Sequence, residues 1–357
     1  MKRNLIVSAI LFGFILVLQA VFSSAYAAKK PVTVVVMTTP FGTPYFNIGA
    51  AFEQVFKKAN SWVQIKHQET AGAMYMFRYV IKNRQKMIDG TVPHTVIVGG
   101  PGTLGHLTEG RPPFNKLPWP SSKMLVSTGG VMSVYGTYDP NIKTLKDFAG
   151  KRVCTMERAR VFLGVFLEKP LFAKGVENFD KIKWAPLGSI GCKDAFLNGK
   201  VDVIRLGYAG VVNVVKDGTY MVPFMVPTGP TMEVLSAGRK IYQIGTDRDL
   251  VKRSYDFSKD MIVYPGLIKK GAFKNIKADI WGRAGFLGLQ GDAGLPDDIV
   301  EEIVRVRHEH RKDFGKYHAQ MKLFPMTPYP LGTPKKYIHP GVIKAMKKLG
   351  YPIPKID

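Results

Sequence analysis

The chain of 357 residues has only two cysteines, Cys154 and Cys192. That excludes a disulfide-dense scaffold and any zinc site built on repeated Cys-x-x-Cys spacing. Acidic residues are scarce, 27 Asp and Glu against 51 Lys and Arg, for a formal net charge of +24. Beyond residue 27 no hydrophobic run is long enough to cross a bilayer, which excludes a chain that spans a membrane repeatedly. Internal repeats and low-complexity tracts are missing, so solenoids and disordered arrays are excluded as well. There is no G-x-S-x-G elbow, no H-E-x-x-H pair and no carboxylate pair that sequence alone brings together. Catalysis therefore has no positive support, and neither a metal nor a cofactor is expected.

What is present begins with an export signal. Lys2 and Arg3 form a positive start, Leu5 to Val21 is almost uninterruptedly apolar, and Ala25-Tyr26-Ala27 offers an A-x-A cleavage site before Ala28. Residues 1–27 are read as a removable signal peptide and the mature protein as periplasmic; an uncleaved anchor is the alternative for a run of this length. No cysteine stands at the junction, so nothing supports a lipid anchor. The leader holds two basic and no acidic residues, leaving +22 on the remainder. These charges are spread along the chain with no nucleic-acid-binding motif, which points to a solvated basic surface and anionic ligands rather than nucleic acid. In an oxidising compartment Cys154 and Cys192 are free to pair; the alternative is two buried small hydrophobes.

Strand and helix signals alternate. Val32 to Val36 reads as a buried strand, followed by a polar turn and a periodic stretch from Asn47 to Lys58 with Ile48, Ala51, Phe52, Val55 and Phe56 on one face. Such a strand, turn and helix aims backbone N–H groups at one point, a natural anion cradle. Val63 to Lys66 is a second strand, Ala73 to Arg84 a second helix and Thr95 to Val98 a third strand. Gly105 to Ser122, rich in Pro and Gly, is expected to be a long surface connection. A strand from Met124 to Tyr138 leads to a second α/β unit with strands at Trp184–Leu187 and Val201–Arg205. A helix from Asp298 to Phe314, capped by Asp297 or Asp298, and another from Gly341 to Leu349 complete the chain.

Two motifs invite stronger readings and fail on context. Gly100-Pro101-Gly102-Thr103-Leu104-Gly105 matches G-x-G-x-x-G after a strand, but no helical pattern follows and no acid waits about 20 residues on. His308-Glu309-His310 resembles a metal cluster, yet residues two apart on a helix point in different directions.

The order of segments resembles the TAXI family of solute-binding proteins, which are similar to type II periplasmic binding proteins and serve TRAP transporters. Ile338 to Gly350 resembles the family's terminal H-P-G-A helix, Leu145 to Val153 its approach to the second lobe, Asn198 to Val203 its dGkvDA strand, and Leu295 to Val304 its lpddlVyeIv helix. The resemblance implies a two-lobed α/β fold, each lobe a mostly parallel sheet flanked by helices, with the ligand cleft between them. Residues 28–137 and 275–357 would form the first lobe and 138–274 the second.

The same resemblance implies three ligand loops, all altered here. The first, Met37 to Gly49, keeps Thr38, Gly42, Tyr45, Ile48 and Gly49 but loses three glycines, and Pro44 removes an N–H. It contributes Thr38, Thr39, Phe41 and Tyr45. The second, Thr70 to Met76, contributes Gly72 and Met74. In the third, Cys154 to Arg160, side-chain charge replaces glycine, so Arg158 or Arg160 is expected to grip a carboxylate, the alternative being two solvated arginines. Tyr208 is expected to stack on or hydrogen-bond the ligand, or else to pack.

The expected protein is a monomeric, non-enzymatic extracytoplasmic receptor for a small organic anion, less polar than the family's usual dicarboxylates, delivered to TRAP membrane subunits. A sensor partner or a secreted enzyme on the same fold are the alternatives. Arg158→Ala is expected to weaken ligand binding strongly in a titration of the mature protein; unchanged affinity removes Arg158 from the site.

Overall fold

A computed structural model describes residues 29–111, 114–155, 169–214, 220–254 and 264–353. The signal segment and both Arg158 and Arg160 lie outside these residues. The first strand, β1 (Val32–Thr38), enters a turn that ends at Thr43, whose hydroxyl accepts a hydrogen bond from the Phe46 amide and caps α1 (Pro44–Lys58). Pro44 occupies the first helical turn, where its missing N–H costs nothing. The helix therefore starts three residues before the apolar periodicity does. Its face of Ile48, Ala51, Phe52, Val55 and Phe56 is buried as the spacing requires.

Next come β2 (Val63–Glu69), α2 (Ala73–Ile88), β3 (His94–Gly99) and the short α3 (Leu104–Glu109). The long β4 (Ser122–Thr137) leads to β5 (Arg152–Thr155), α4 (Lys169–Gly175), β6 (Lys183–Pro186) and α5 (Gly188–Leu197). Then follow β7 (Val203–Val214), β8 (Tyr220–Pro227), α6 (Gly229–Ser236), β9 (Tyr242–Ile244) and α7 (Arg248–Ser254). The chain returns through β10 (Tyr264–Ile268) and β11 (Ile280–Asp292) to α8 (Asp297–Glu309), α9 (Arg311–Phe314) and α10 (Pro340–Lys348).

The result is a mixed α/β fold with one central sheet flanked by helices. Parallel pairing occurs in β2-β1-β3, in β6-β5-β7 and between β8 and β10. The strands that join these groups are antiparallel. β11 pairs β3 on one side and β4 on the other, from Asp292 opposite Ser122 to Arg283 opposite Ser133. β4 then pairs β7 from Gly130 to Thr137. Two neighbouring strands, β4 and β11, thus join these groups into one sheet.

Val34, Val36, Val96 and Val98 pack with Phe52 and Phe56 of α1, Ile303 of α8 and Met346 of α10 in one core. Truncating a buried phenylalanine such as Phe52 to alanine in packing of this kind costs about 3–5 kcal/mol. The helix pair α8 and α10 explains the H-P-G signature. The His339 imidazole caps α10 by accepting from the Gly341 amide at 3.1 Å. A Cβ on Gly341 would lie 2.7 Å from the Asp297 carbonyl oxygen, so only glycine lets the helices approach so closely.

Three expectations are corrected. α8 has Pro296, not an aspartate, at its cap; Asp297 and Asp298 sit in the first turn, where their carboxylates complement the helix dipole and pair with Lys344 and Lys29. The helical stretch to Phe314 is broken at His310. The Pro-rich segment 105–122 is not a surface connection: it begins inside α3, and Phe114 and Trp119 are fully buried. The Trp119 indole and the Arg84 guanidinium donate to Asp292 at 2.8 and 2.9 Å, and Ser121 donates to the same carboxylate.

Burial alone would push the Asp292 carboxyl up, but hydrogen bonds from Ser121, Trp119, Gly294 and Arg84 outweigh it and hold the carboxyl below its ordinary value. A depressed carboxyl contributes stability that is present above its unfolded value near pH 4 and lost as pH falls through its folded value. Asp292→Asn is expected to cost about 2–4 kcal/mol in urea denaturation at pH 7 and to flatten the loss of stability below about pH 4. Equal stability of the two proteins at pH 7 would show that Asp292 does not pin this segment.

Candidate ligand-binding cleft

A cavity of about 230 Å³ is lined by residues drawn from Thr39 through to Leu287. The first turns of four helices reach its wall: Tyr45 of α1, Met74 of α2, Ser189 of α5 and Thr231 of α6. None of these four has an acidic residue in its first turn. α8, whose first turn is absent from the wall, carries two. The positive ends of four helix dipoles therefore reach one space. The polar rim is ordered by short threonine pairs, Thr39 with Thr43 at 2.7 Å and Thr228 with Thr231 at 3.2 Å. There Gly42 faces Gly229: a Cβ on Gly229 would stand 3.5 Å from the Gly42 carbonyl oxygen.

Strand register places two arginines at this cavity. On β4, Ser133 lies opposite Arg283 of β11 and Gly207 of β7, and Tyr135 lies opposite Arg205 of β7. Directly opposed and alternate residues share a sheet face, so Arg205, Arg283, Ser133 and Tyr135 project on the same side. The Arg283 guanidinium stands 5.7 Å from the Tyr135 ring centre, as that geometry requires. Arg283 is only 2% exposed, whereas Arg205 is partly exposed, and both line the cavity. Among the described residues the wall contains no Asp, Glu, Lys or His. The charged side chains among the described lining residues are Arg205 and Arg283.

Of the residues expected at the ligand, Thr39, Tyr45, Met74 and Tyr208 line the cavity. The other three described ones do not. Thr38 is the last residue of β1 and its hydroxyl pairs with His67 Nε2 at 2.8 Å, since adjacent residues leave a strand on opposite sides. Phe41 is 69% exposed, its amide donating to Glu69 at 2.8 Å. Gly72 stands just before α2 at φ 142° and serves the turn, its amide donating to Thr70. Tyr208 is buried within β7, accepts a hydrogen bond from Gln243 at 3.2 Å, and has its hydroxyl pKa pushed up by burial. Arg205 and Arg283 were not singled out by the sequence reading. Their signal was a lone charge in an otherwise apolar strand, in Val203-Ile204-Arg205-Leu206 and Trp281-Gly282-Arg283-Ala284.

Gly100 and Gly102 of the G-x-G-x-x-G stretch also border the cavity, and a helix of six residues, α3, does follow them, contrary to expectation. His308 and His310 point to different partners, Tyr351 and Asp313. No group of three metal-ligating side chains occurs among the described residues. Cys154 and Cys192 form a disulfide, with Cα atoms 5.5 Å apart, which resolves the open alternative. It ties β5 to α5 three positions beyond Ser189, the wall residue. No helix among the described residues is long and apolar enough to cross a membrane.

No protein-family model matches the chain, and no curated protein is similar to it in sequence. Solved structures are similar in fold. One described as a periplasmic transporter shares 14% identity over 91% of this chain and 95% of its own, with a TM-score of 0.49. MatC from Rhodopseudomonas palustris with bound malate shares 15% over 90% and 97%, at 0.47. Substrate-binding domain 2 of Lactococcus lactis GlnP, in an open conformation, shares 12% over 85% and 99%, at 0.41.

The disulfide closes a sequence separation of 38. Chain entropy then assigns it about 4 kcal/mol of stability. Replacing both cysteines by serine is expected to lower the unfolding free energy by about that amount in urea titrations. No change in midpoint would mean the bond is not formed in the protein.

Proposed function

We propose that the protein is an extracytoplasmic solute-binding protein that captures a small organic anion between its lobes and delivers it to a membrane transporter. The observation that carries this reading is the sign of the cavity wall: two arginines and four helix N-termini without an acid among the described lining residues. A carboxylate there exchanges water for charge-assisted hydrogen bonds in a partly dry site. The described lining residues offer hydrogen-bond donors, Arg205, Arg283 and threonine hydroxyls, of the kind that hold an anion.

The finer assignment is also ours. The TAXI-like order of segments supports delivery to TRAP membrane subunits, with residues 1–27 removed on export and a monomeric periplasmic receptor remaining. In this reading residues 28–137 and 275–357 move as one lobe and 138–274 as the other. The crossings after β4 and before β11 flex between them, and Gly42 and Gly229 approach each other on closure. The ligand favours the closed form because only there do both lobes contact it.

A thermal-shift screen of organic acids, amino acids and neutral analogues on the mature protein tests the reading. A ligand present at a hundred times its Kd adds about 2.7 kcal/mol of apparent stability, so anions are expected to raise the Tm by several degrees and neutral compounds to leave it unmoved. Arg283→Gln is expected to weaken the best anion about ten- to hundredfold, and the more exposed Arg205→Gln by a smaller factor. Shifts produced by neutral compounds alone would overturn the anion assignment.

A further inference from the structure

The wall of the cavity is chemically divided. Arg283, Arg205 and Ser133 share one sheet face and form the polar end, where the register of β4 with β7 and β11 brings them together. The remainder includes Met74 and Phe77 from α2, Val98 from β3, Val131 from β4, Leu287 from β11 and Ile190 from α5. None of these six side chains has a hydrogen-bonding N–H or O–H group. Phe77 is itself held edge-on by Phe114, with ring centres 5.3 Å apart, so its position is set by the core beneath it.

A ligand with charge at both ends would set its second carboxylate among these apolar side chains and the threonine hydroxyls of Thr39 and Thr43. Among the described lining residues no cationic group beyond Arg205 and Arg283 would meet it. A ligand with one charged end fits this division well. Size narrows the choice further. A dry cavity of about 150 Å³ lined by aliphatic and aromatic side chains holds benzene, which has six non-hydrogen atoms. By proportion, about 230 Å³ holds roughly nine. That is a six-membered ring with a carboxylate on a short arm. The Met74 thioether adds a polarizable group of the kind that packs favourably against ring edges.

We propose that the cavity takes an aromatic monocarboxylate of benzoate to phenylacetate size, with the carboxylate at Arg283, Arg205 and Ser133 and the ring among Met74, Phe77 and Ile190. This assignment rests on the anion-binding reading above and specifies its substrate class. The apolar end selects the ring, and the positive end selects the charge.

Calorimetric titration of the full mature protein with benzoate, phenylacetate, succinate, glutamate and benzyl alcohol tests it. Phenylacetate or benzoate is expected to bind at least tenfold more tightly than each of the other three. If succinate or glutamate binds more tightly than both aromatic acids, the ring assignment is overturned while the anion reading stands. If benzyl alcohol equals phenylacetate, the anion reading itself falls, and if none of the five binds, both fall. Met74→Gln, at a partly exposed position, is expected to weaken the aromatic acid about fivefold or more without lowering the Tm. Unchanged affinity in that variant overturns the placement of the ring.

Discussion

Because β4 is hydrogen-bonded to β11 along its first three quarters and to β7 along its second half, the backbone around residues 130–133 is held by both neighbours at once. Ser133 has Arg283 on one side and Gly207 on the other, so the polar end of the cavity is defined by strand register alone. A slip of one residue in either ladder would send an arginine to the opposite face. The cleft depends on this ladder more than on any loop around it. Loops supply the rim, where Thr43 caps α1 and Thr231 receives the Gly207 amide.

Electrostatics then follows from where the chain puts its few acids. Asp297 and Asp298 neutralise the start of α8, Asp292 gathers Arg84, Trp119 and Ser121 at the far end of β11, and Asp202 pairs with Arg152. Each of these carboxylates is engaged away from the cavity wall. The helices whose first turns reach the wall have none, and the dipoles there act in a space partly screened from water. Surface ion pairs such as Lys316 with Asp313 add little by comparison, since solvent screens them.

Much of this was legible in the sequence, for definite reasons. The apolar spacing from Ile48 to Phe56 marks a helix that must bury one face, and it does; of the face expected on α2, Phe77 and Val80 are buried while Met74 and Ile81 stay partly exposed. The TAXI-like ligand loops implied Thr39, Tyr45 and Met74 at the ligand, and all three line the cavity. Thr38 was not separable from Thr39, since only the structure shows on which side of the strand end each leaves. Arg283 escaped notice because its role depends on pairing with Ser133, 150 positions away in sequence. The burial of Phe114 and Trp119 was hidden by the surrounding prolines, whose turn signal is local and says nothing about what a neighbouring ring touches.

In the proposed function the cavity attracts anions to its two arginines and helix N-termini. Anomalous diffraction from crystals soaked in bromide tests it most directly, since the ion reports potential without depending on the identity of the solute. The account predicts the strongest bromide peak in the cavity, within hydrogen-bonding reach of Arg283, Arg205 or the first turns of the four helices. Peaks confined to surface lysines, with the cavity holding only water, would contradict it.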